Sequence, residues 1–343
     1  MRSEPVVEPV VEPAVEPVVE PVVPEPGSPP APPPLAVRDL RIAFGGGVDR
    51  VEAVRGVSFD VAAGEVLALV GESGAGKSLT ARALLGMAPR GAHVDGAVLL
   101  SGSPVTAAHR GRRIALVPQD SLSALSPVHP VGEQLAAAVR SVRKVSRREA
   151  RARSLAALDR VGVPAARARA HAHEFSGGMR QRAVIAMALV NEPAVVVADE
   201  PTTALDPDVQ DQVLAVLAAQ REATGAALVL VTHDLAVVRQ HADRIAVMYA
   251  GRIVEHGPAR PVLDRPRAPY TAGLLASLPD PAAARKTRLP ALPGHPPAVT
   301  DIPPGCAFAP RCPHTTDRCH VEVPALRALD DGRTLACHLE HPA

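Results

Sequence analysis

Residues 66–85 read VLALV-GESGAGKS-LTARALL: an uninterrupted apolar run, a glycine-rich loop, then a helical pattern. Five apolar residues without polar alternation predict a strand covered on both faces, as in a parallel sheet. The loop Gly71-Glu72-Ser73-Gly74-Ala75-Gly76-Lys77-Ser78 fits G-x4-G-K-[ST]. Its glycines let backbone N–H groups converge on phosphate oxygens with no Cβ in the way. Lys77 is expected to reach the β- and γ-phosphates, and the Ser78 hydroxyl to coordinate Mg²⁺. The following helix, opening at Leu79, turns its positive end toward the phosphates. A strand, a phosphate cradle and a helix in this order imply an α/β fold that binds a nucleoside triphosphate with Mg²⁺.

Two further apolar runs lie downstream. Ala194–Ala198 meets Asp199-Glu200, and Ala227–Val231 meets Thr232-His233. In open parallel sheets functional groups gather at the carboxyl ends of the strands. Asp199 is therefore placed on the Mg²⁺ water shell. Glu200 is placed as the general base that polarises the attacking water. His233 can hydrogen-bond the γ-phosphate and fix that water. Gln119 is a surface glutamine unless it lies near the cradle, where it would be a Mg²⁺ and water ligand. Residues 244–257 read as two strands joined at Ala250-Gly251, a late hairpin. From about Gln134 to Ala170 the pattern is helical, with Ser146 and Glu149 at capping-box spacing.

Composition narrows the class. Lys+Arg number 37 against 36 Asp+Glu, a formal charge of +1, so no global field draws the chain to nucleic acid. Aromatics are 2% of residues and Trp is absent, which argues against a base-stacking platform. The arginines from Arg140 to Arg153 read as a solvated helix face, because no aromatics interleave with them. No apolar run reaches about 18 residues and the N-terminus has no secretory pattern, so a cytoplasmic location is expected. Twelve of the 37 prolines fall in the first 34 residues, in a Glu-Pro-Val-Val repeat. Proline removes donors and fixes φ, so residues 1–34 are expected to be a disordered, extended tail. The remaining chain divides into 35–260, which carries the nucleotide motifs, and 261–343, proline-rich again and holding all four cysteines.

Five motifs stand in one order: GESGAGKS at 71–78, PQD around Gln119, FSGGMRQR at 175–182, VVVADEPTTALD at 195–206, and THD around His233. In this order they resemble the ATP-binding subunits of ABC transporters. The resemblance implies a P-loop ABC cassette: a mainly parallel sheet, an antiparallel β subdomain, and a helical subdomain at about 120–180. Ser176 is placed to cap a helix, and Gly177 and Gly178 to offer a second anion site. In the family that site, here Ser176, Gly177, Gly178 and Gln181, contacts ATP held by the opposite subunit. Asp206, an N-cap before Pro207 by its spacing, lies in the family in a loop crossing between partners. One cradle and one signature per chain imply a dimer with two composite sites. The adenine face would fall to Phe44, which reads equally as a core residue of an early strand. The partner would be a second ABC ATPase subunit, a copy or a homologue, with two membrane permease subunits. An extracellular binding protein would act indirectly. The location would be the cytoplasmic face of the membrane. Non-transport members fit less well: the chain has one cassette, and only about 100 residues separate Lys77 from Ser176.

The segments SALSP at 123–127, HEF at 173–175, RAPYTAGLL at 267–275, GHPP at 294–297 and PGCAFAPRCP at 304–313 resemble the oligopeptide/dipeptide importer branch. The cargo implied is a peptide, with nickel or another small solute as the alternative. Cys306, Cys312, Cys319 and Cys337 are spaced C-x5-C-x6-C-x17-C. This matches neither the zinc nor the ferredoxin spacing, so spacing leaves a cluster, zinc and reduced thiols all open. Resemblance to some members of the branch implies a 4Fe–4S cluster on these four.

Overall fold

The computed structural model describes residues 31–203, 205–278 and 291–339. The expected tail lies outside them through residue 30. In chain order the strands are β1 (Leu35–Phe44), β2 (Val51–Val61), β3 (Val66–Val70), β4 (Ala92–Leu100), β5 (Ser103–Pro104), β6 (Ile114–Val117), β7 (Val195–Asp199), β8 (Ala227–Val231), β9 (Arg244–Tyr249), β10 (Arg252–Pro258), β11 (Arg327–Ala328) and β12 (Thr334–Leu335). They form two sheets, ordered β2-β1-β4-β5 and β11-β12-β10-β9-β3-β8-β7-β6. The first is antiparallel throughout. In the second, β6, β7, β8, β3 and β9 run parallel, and β10, β12 and β11 complete an antiparallel flank.

The apolar runs are explained by what covers them. In β7, Val196 and Ala198 join a cluster with the helices, whereas Val195 and Val197 face the antiparallel sheet. In β8, Leu228 and Leu230 divide from Val229 and Val231 in the same way. Alternate side chains point to opposite faces, and both faces are covered, so every position must be apolar. The helical layer is built from Val131–Val142, Arg147–Arg160 and Gly177–Leu189. Ser146 caps the second of these by accepting the Glu149 N–H at 3.1 Å. Arg153 reaches back to Glu149 at 2.9 Å on the exposed face, an ordinary surface pair. The late hairpin forms as read, with β9 and β10 paired and Ala250 at φ 45° in its turn.

The cysteine-bearing region does not stand apart. Its strand β12 pairs with β10, putting Leu335 opposite Glu255 and Thr334 opposite His256. Phe308 packs in one cluster with Tyr249 and Tyr270. Among the described residues, no helix is long and apolar enough to cross a membrane.

Candidate active site

Strand order positions the site. β3, β8, β7 and β6 are successive neighbours, so the cradle, His233, Asp199-Glu200 and Gln119 follow one another along one carboxyl edge. At its base, Gly71 has φ 150° and a Cβ there would collide with the Met248 carbonyl oxygen. Only glycine lets the chain turn so close to β9. Gly76, in a left-handed conformation, is the N-cap of the helix Lys77–Leu84.

Lys77 is 6% exposed and donates to the carbonyls of Gly71 at 2.8 Å and Glu72 at 3.0 Å. Burial pulls its ammonium below the ordinary value, while Glu200, Asp199 and Glu72 act the other way. Ser78 Oγ donates to Asp199 Oδ1 at 2.9 Å. Asp199 is 3% exposed, and burial pushes its carboxyl up despite that bond, with Glu200 adding to the rise. A buried carboxylate raised in this way is short of positive charge. With a hydroxyl beside it, the pair fits a hard divalent cation such as Mg²⁺.

Glu200 sits next in the chain with φ 49°, an uncommon conformation for a non-glycine residue, pinned by its N–H to the Val231 carbonyl at 2.9 Å. Its carboxylate accepts from Gln119 Nε2 and from Thr203 Oγ1, each at 2.9 Å. His233 Nδ1 lies 3.4 Å from the other oxygen. Gln119, Glu200 and His233 are thus brought together from β6, β7 and β8. Gln119 does not join the Ser78–Asp199 pair: β6 neighbours β7, and just beyond its end the amide meets Glu200 first. Thr203 was not anticipated. The signal was its place three residues after Glu200 in a turn.

Other expected residues divide. Ser176 caps its helix, accepting the Met179 N–H at 3.3 Å, and both Ser176 and Gly177 are exposed. Gly178 instead packs tightly: a Cβ there would lie 2.5 Å from Val209 Cγ1. Gln181 is 4% exposed, with its amide nitrogen unpartnered inside the fold, so it is not on the exposed face with Ser176. Five residues on from Ser176, at about 100° per residue, Gln181 falls on the opposite side of the helix from it. Asp206 is the exposed N-cap before Pro207 and makes no side-chain cap bond. Phe44 ends β1 half-buried and packs, like Leu79, on the cluster that holds Ala75 of the cradle.

Sequence reading also missed what lies behind the cradle. The Glu72 N–H donates to Tyr270 Oη at 2.9 Å. Arg311 donates to both Glu72 carboxylate oxygens, at 2.7 and 3.0 Å. The four cysteines are free thiols. Burial raises Cys306, Cys312 and Cys337, and each also feels the charge of at least one other cysteine. Burial acts on Cys319 as well, but hydrogen bonds from Thr316 and Thr315 leave its thiol below the ordinary value. Among the described residues, however, no three cysteine, histidine or acidic side chains form a metal-ligating group. Four thiols within charge reach of one another are the donor type and number that a 4Fe–4S cluster takes.

Two family profiles match: ABC transporter over residues 54–203, and oligopeptide/dipeptide transporter, C-terminal region, over 254–319. The oligopeptide transport ATP-binding protein OppD of Mycobacterium tuberculosis is 47% identical over 313 residues, covering 88% of this chain and 51% of that protein. The chain thus spans about half the length of that relative. The dipeptide transport ATP-binding protein DppD of Bacillus subtilis is 41% identical, covering 89% of this chain and 94% of the relative. A probable peptide ABC transporter ATP-binding protein of Sinorhizobium fredii is 43% identical, covering 88% and 94%. Among solved structures, the ATP-binding cassette MJ0796, a dimer in a post-hydrolysis state bound to ADP and Pi, superposes with TM-score 0.59 at 25% identity. It covers 66% of this chain and 99% of that one. The cassette cbiO1 of Clostridium perfringens gives TM-score 0.58 at 26% identity, covering 68% and 92%.

Proposed function

From a chain that belongs to the ABC transporter family, in the branch with the oligopeptide/dipeptide transporter C-terminal region, we propose an ATP-hydrolysing subunit that drives import of di- or oligopeptides through a membrane permease. The observation that carries the reading is the single carboxyl edge on which Ser78–Asp199 and Gln119–Glu200–His233 meet beside the cradle. Residues 71–76 and Leu79 hold the triphosphate. Lys77 exchanges the Gly71 and Glu72 carbonyls for β- and γ-phosphate oxygens. Ser78 and Asp199 would hold Mg²⁺, with Gln119 joining them only by leaving Glu200, and the ion would neutralise phosphate charge. A water attacks the γ-phosphorus, its proton passes to Glu200, and the bond to the β,γ-bridging oxygen breaks to release ADP. His233 steadies that water and the γ-phosphate, and Phe44 borders the adenine.

Catalysis is completed across two protomers. The exposed Ser176 and Gly177 supply N–H groups to the γ-phosphate of the facing copy, with Gly178 and Asp206 behind them. Support comes from their exposure here and from the dimeric, nucleotide-bound state of the similar cassette. Closure would grip two permease subunits on the cytoplasmic face, near Gln119, while an external binding protein delivers cargo. For the four cysteines the reading is a 4Fe–4S cluster, supported by resemblance and by the convergence of the thiols. Iron and sulfide in anaerobically purified protein check it, and a colourless protein with stoichiometric zinc rejects it. The main test is Mg²⁺-dependent ATP turnover by the purified chain, joined to a mild-detergent pull-down. A permease with peptide uptake that depends on this chain supports the proposal. Absence of turnover together with absence of a permease overturns it.

A further inference from the structure

A glycine-rich loop is intrinsically loose, so its shape must be imposed from outside. Glu72 is where this happens. Its carbonyl accepts from Lys77 at 3.0 Å and from the Ala75 N–H at 3.2 Å. Its N–H donates to Tyr270, and its carboxylate takes the two-pronged Arg311 guanidinium. Once Lys77 turns to phosphate, Glu72 retains the Ala75 contact and the two from beyond residue 260.

Arg311 is built to hold a fixed position. Its side chain is 5% exposed. Nε donates to the Pro293 carbonyl at 2.7 Å and Nη1 to Tyr249 Oη at 3.2 Å. The guanidinium lies 5.8 Å from the ring centres of both Tyr249 and Phe308. Tyr249, Tyr270 and Phe308 contact one another with centroids 4.5 to 5.4 Å apart. Both tyrosines of a chain with only six Tyr and Phe residues are spent here, which marks the spot as a rigid support. Residues 296–299 and 72–75 line one cavity of about 190 Å³.

We propose that Arg311 is a positioning residue for the phosphate loop, through which the C-terminal region sets how tightly ATP is held. The inference rests on the ATPase reading. The fork fixes both carboxylate oxygens at once, so the loop N–H groups are preorganised before nucleotide arrives. Losing the fork loosens the free loop and weakens ground-state binding, while the Glu200 group that carries the chemical step is untouched. Lysine restores the charge but not the two-point geometry.

The test measures KM and kcat for ATP, with ADP affinity and a thermal melt for each variant. Arg311→Ala is expected to raise KM and the ADP Kd about ten-fold, within the usual range of site-to-site coupling, with kcat changed less than about two-fold. Arg311→Lys should fall between. Glu72→Gln should raise the ADP Kd at least as much, and the double variant should bind ADP no worse than Glu72→Gln alone. Should Arg311→Ala fail to fold, Arg311→Lys and Tyr270→Phe carry the same KM readout. Unchanged KM in folded variants, a fall in kcat alone, or fully additive effects would overturn the proposal. Wild-type protein without turnover would instead count against the ATPase reading.

Discussion

Glu200 carries the sharpest chemistry. Its strained backbone is held by Val231, and its carboxylate is met by Gln119, Thr203 and His233. Such over-determination holds a carboxylate where the proposed mechanism needs a general base. Glu200→Gln keeps the size and the contacts but removes the base. It is expected to bind ATP as the parent does and to lose about 10²-fold or more of hydrolysis, read by single-turnover phosphate release. Full turnover would remove the role from Glu200. Its position at the end of a buried strand could be read from its place after an apolar run. Its partner Thr203 leaves no periodic trace, and only its place three residues on in a turn hints at the contact.

Two elements hold the site in place, the cradle turn and the β9–β10 hairpin behind it. At Gly71 the backbone passes Met248 of β9 too closely for any Cβ. Gly71→Ala is expected to cost about 2 kcal/mol or more of stability and to abolish nucleotide binding, as seen by melting and by titration. A variant that binds ATP normally would mean the loop adapts. On β10, His256 Nε2 lies 2.7 Å from Arg244 Nη2. Burial, with Arg244 beside it, lowers His256 from 6.5 to about 4, and Asp60 offsets only part of this. A folded value below the unfolded one means the neutral ring contributes stability above about pH 6.5, lost as pH falls toward 4. His256→Gln should therefore flatten the melting-temperature decline across that window. An unchanged decline would place the acid sensitivity elsewhere.

At the scale of the whole molecule, one chain offers half of each proposed pocket. Ser176, Gly177 and Asp206 are exposed rather than folded onto the chain's own cradle. With ATP, Glu200→Gln protein is expected to run at the mass of a two-cassette assembly, and with ADP as a single cassette. Light scattering after gel filtration distinguishes them. No ATP-dependent assembly, alone or with a co-expressed second cassette, would contradict the shared site. The C-terminal region belongs to this same scale, because β12 extends the main sheet and Arg311 reaches Glu72 from 239 positions away.

The cradle, the three apolar strands, the hairpin and the caps at Ser146 and Ser176 were legible from residue order alone. Each depends on neighbours a few positions apart: both-face burial, a turn that needs glycine, a side chain satisfying a nearby N–H. Strand order was not legible, and it is strand order that lines up Gln119, Glu200, His233 and the Ser78–Asp199 pair along one edge. Nor could local pattern foresee that Gln181 turns inward or that Arg311 grips the phosphate loop. Those outcomes depend on which distant surfaces pack together, and the free energy of such packing is shared among residues with no regular spacing in the chain.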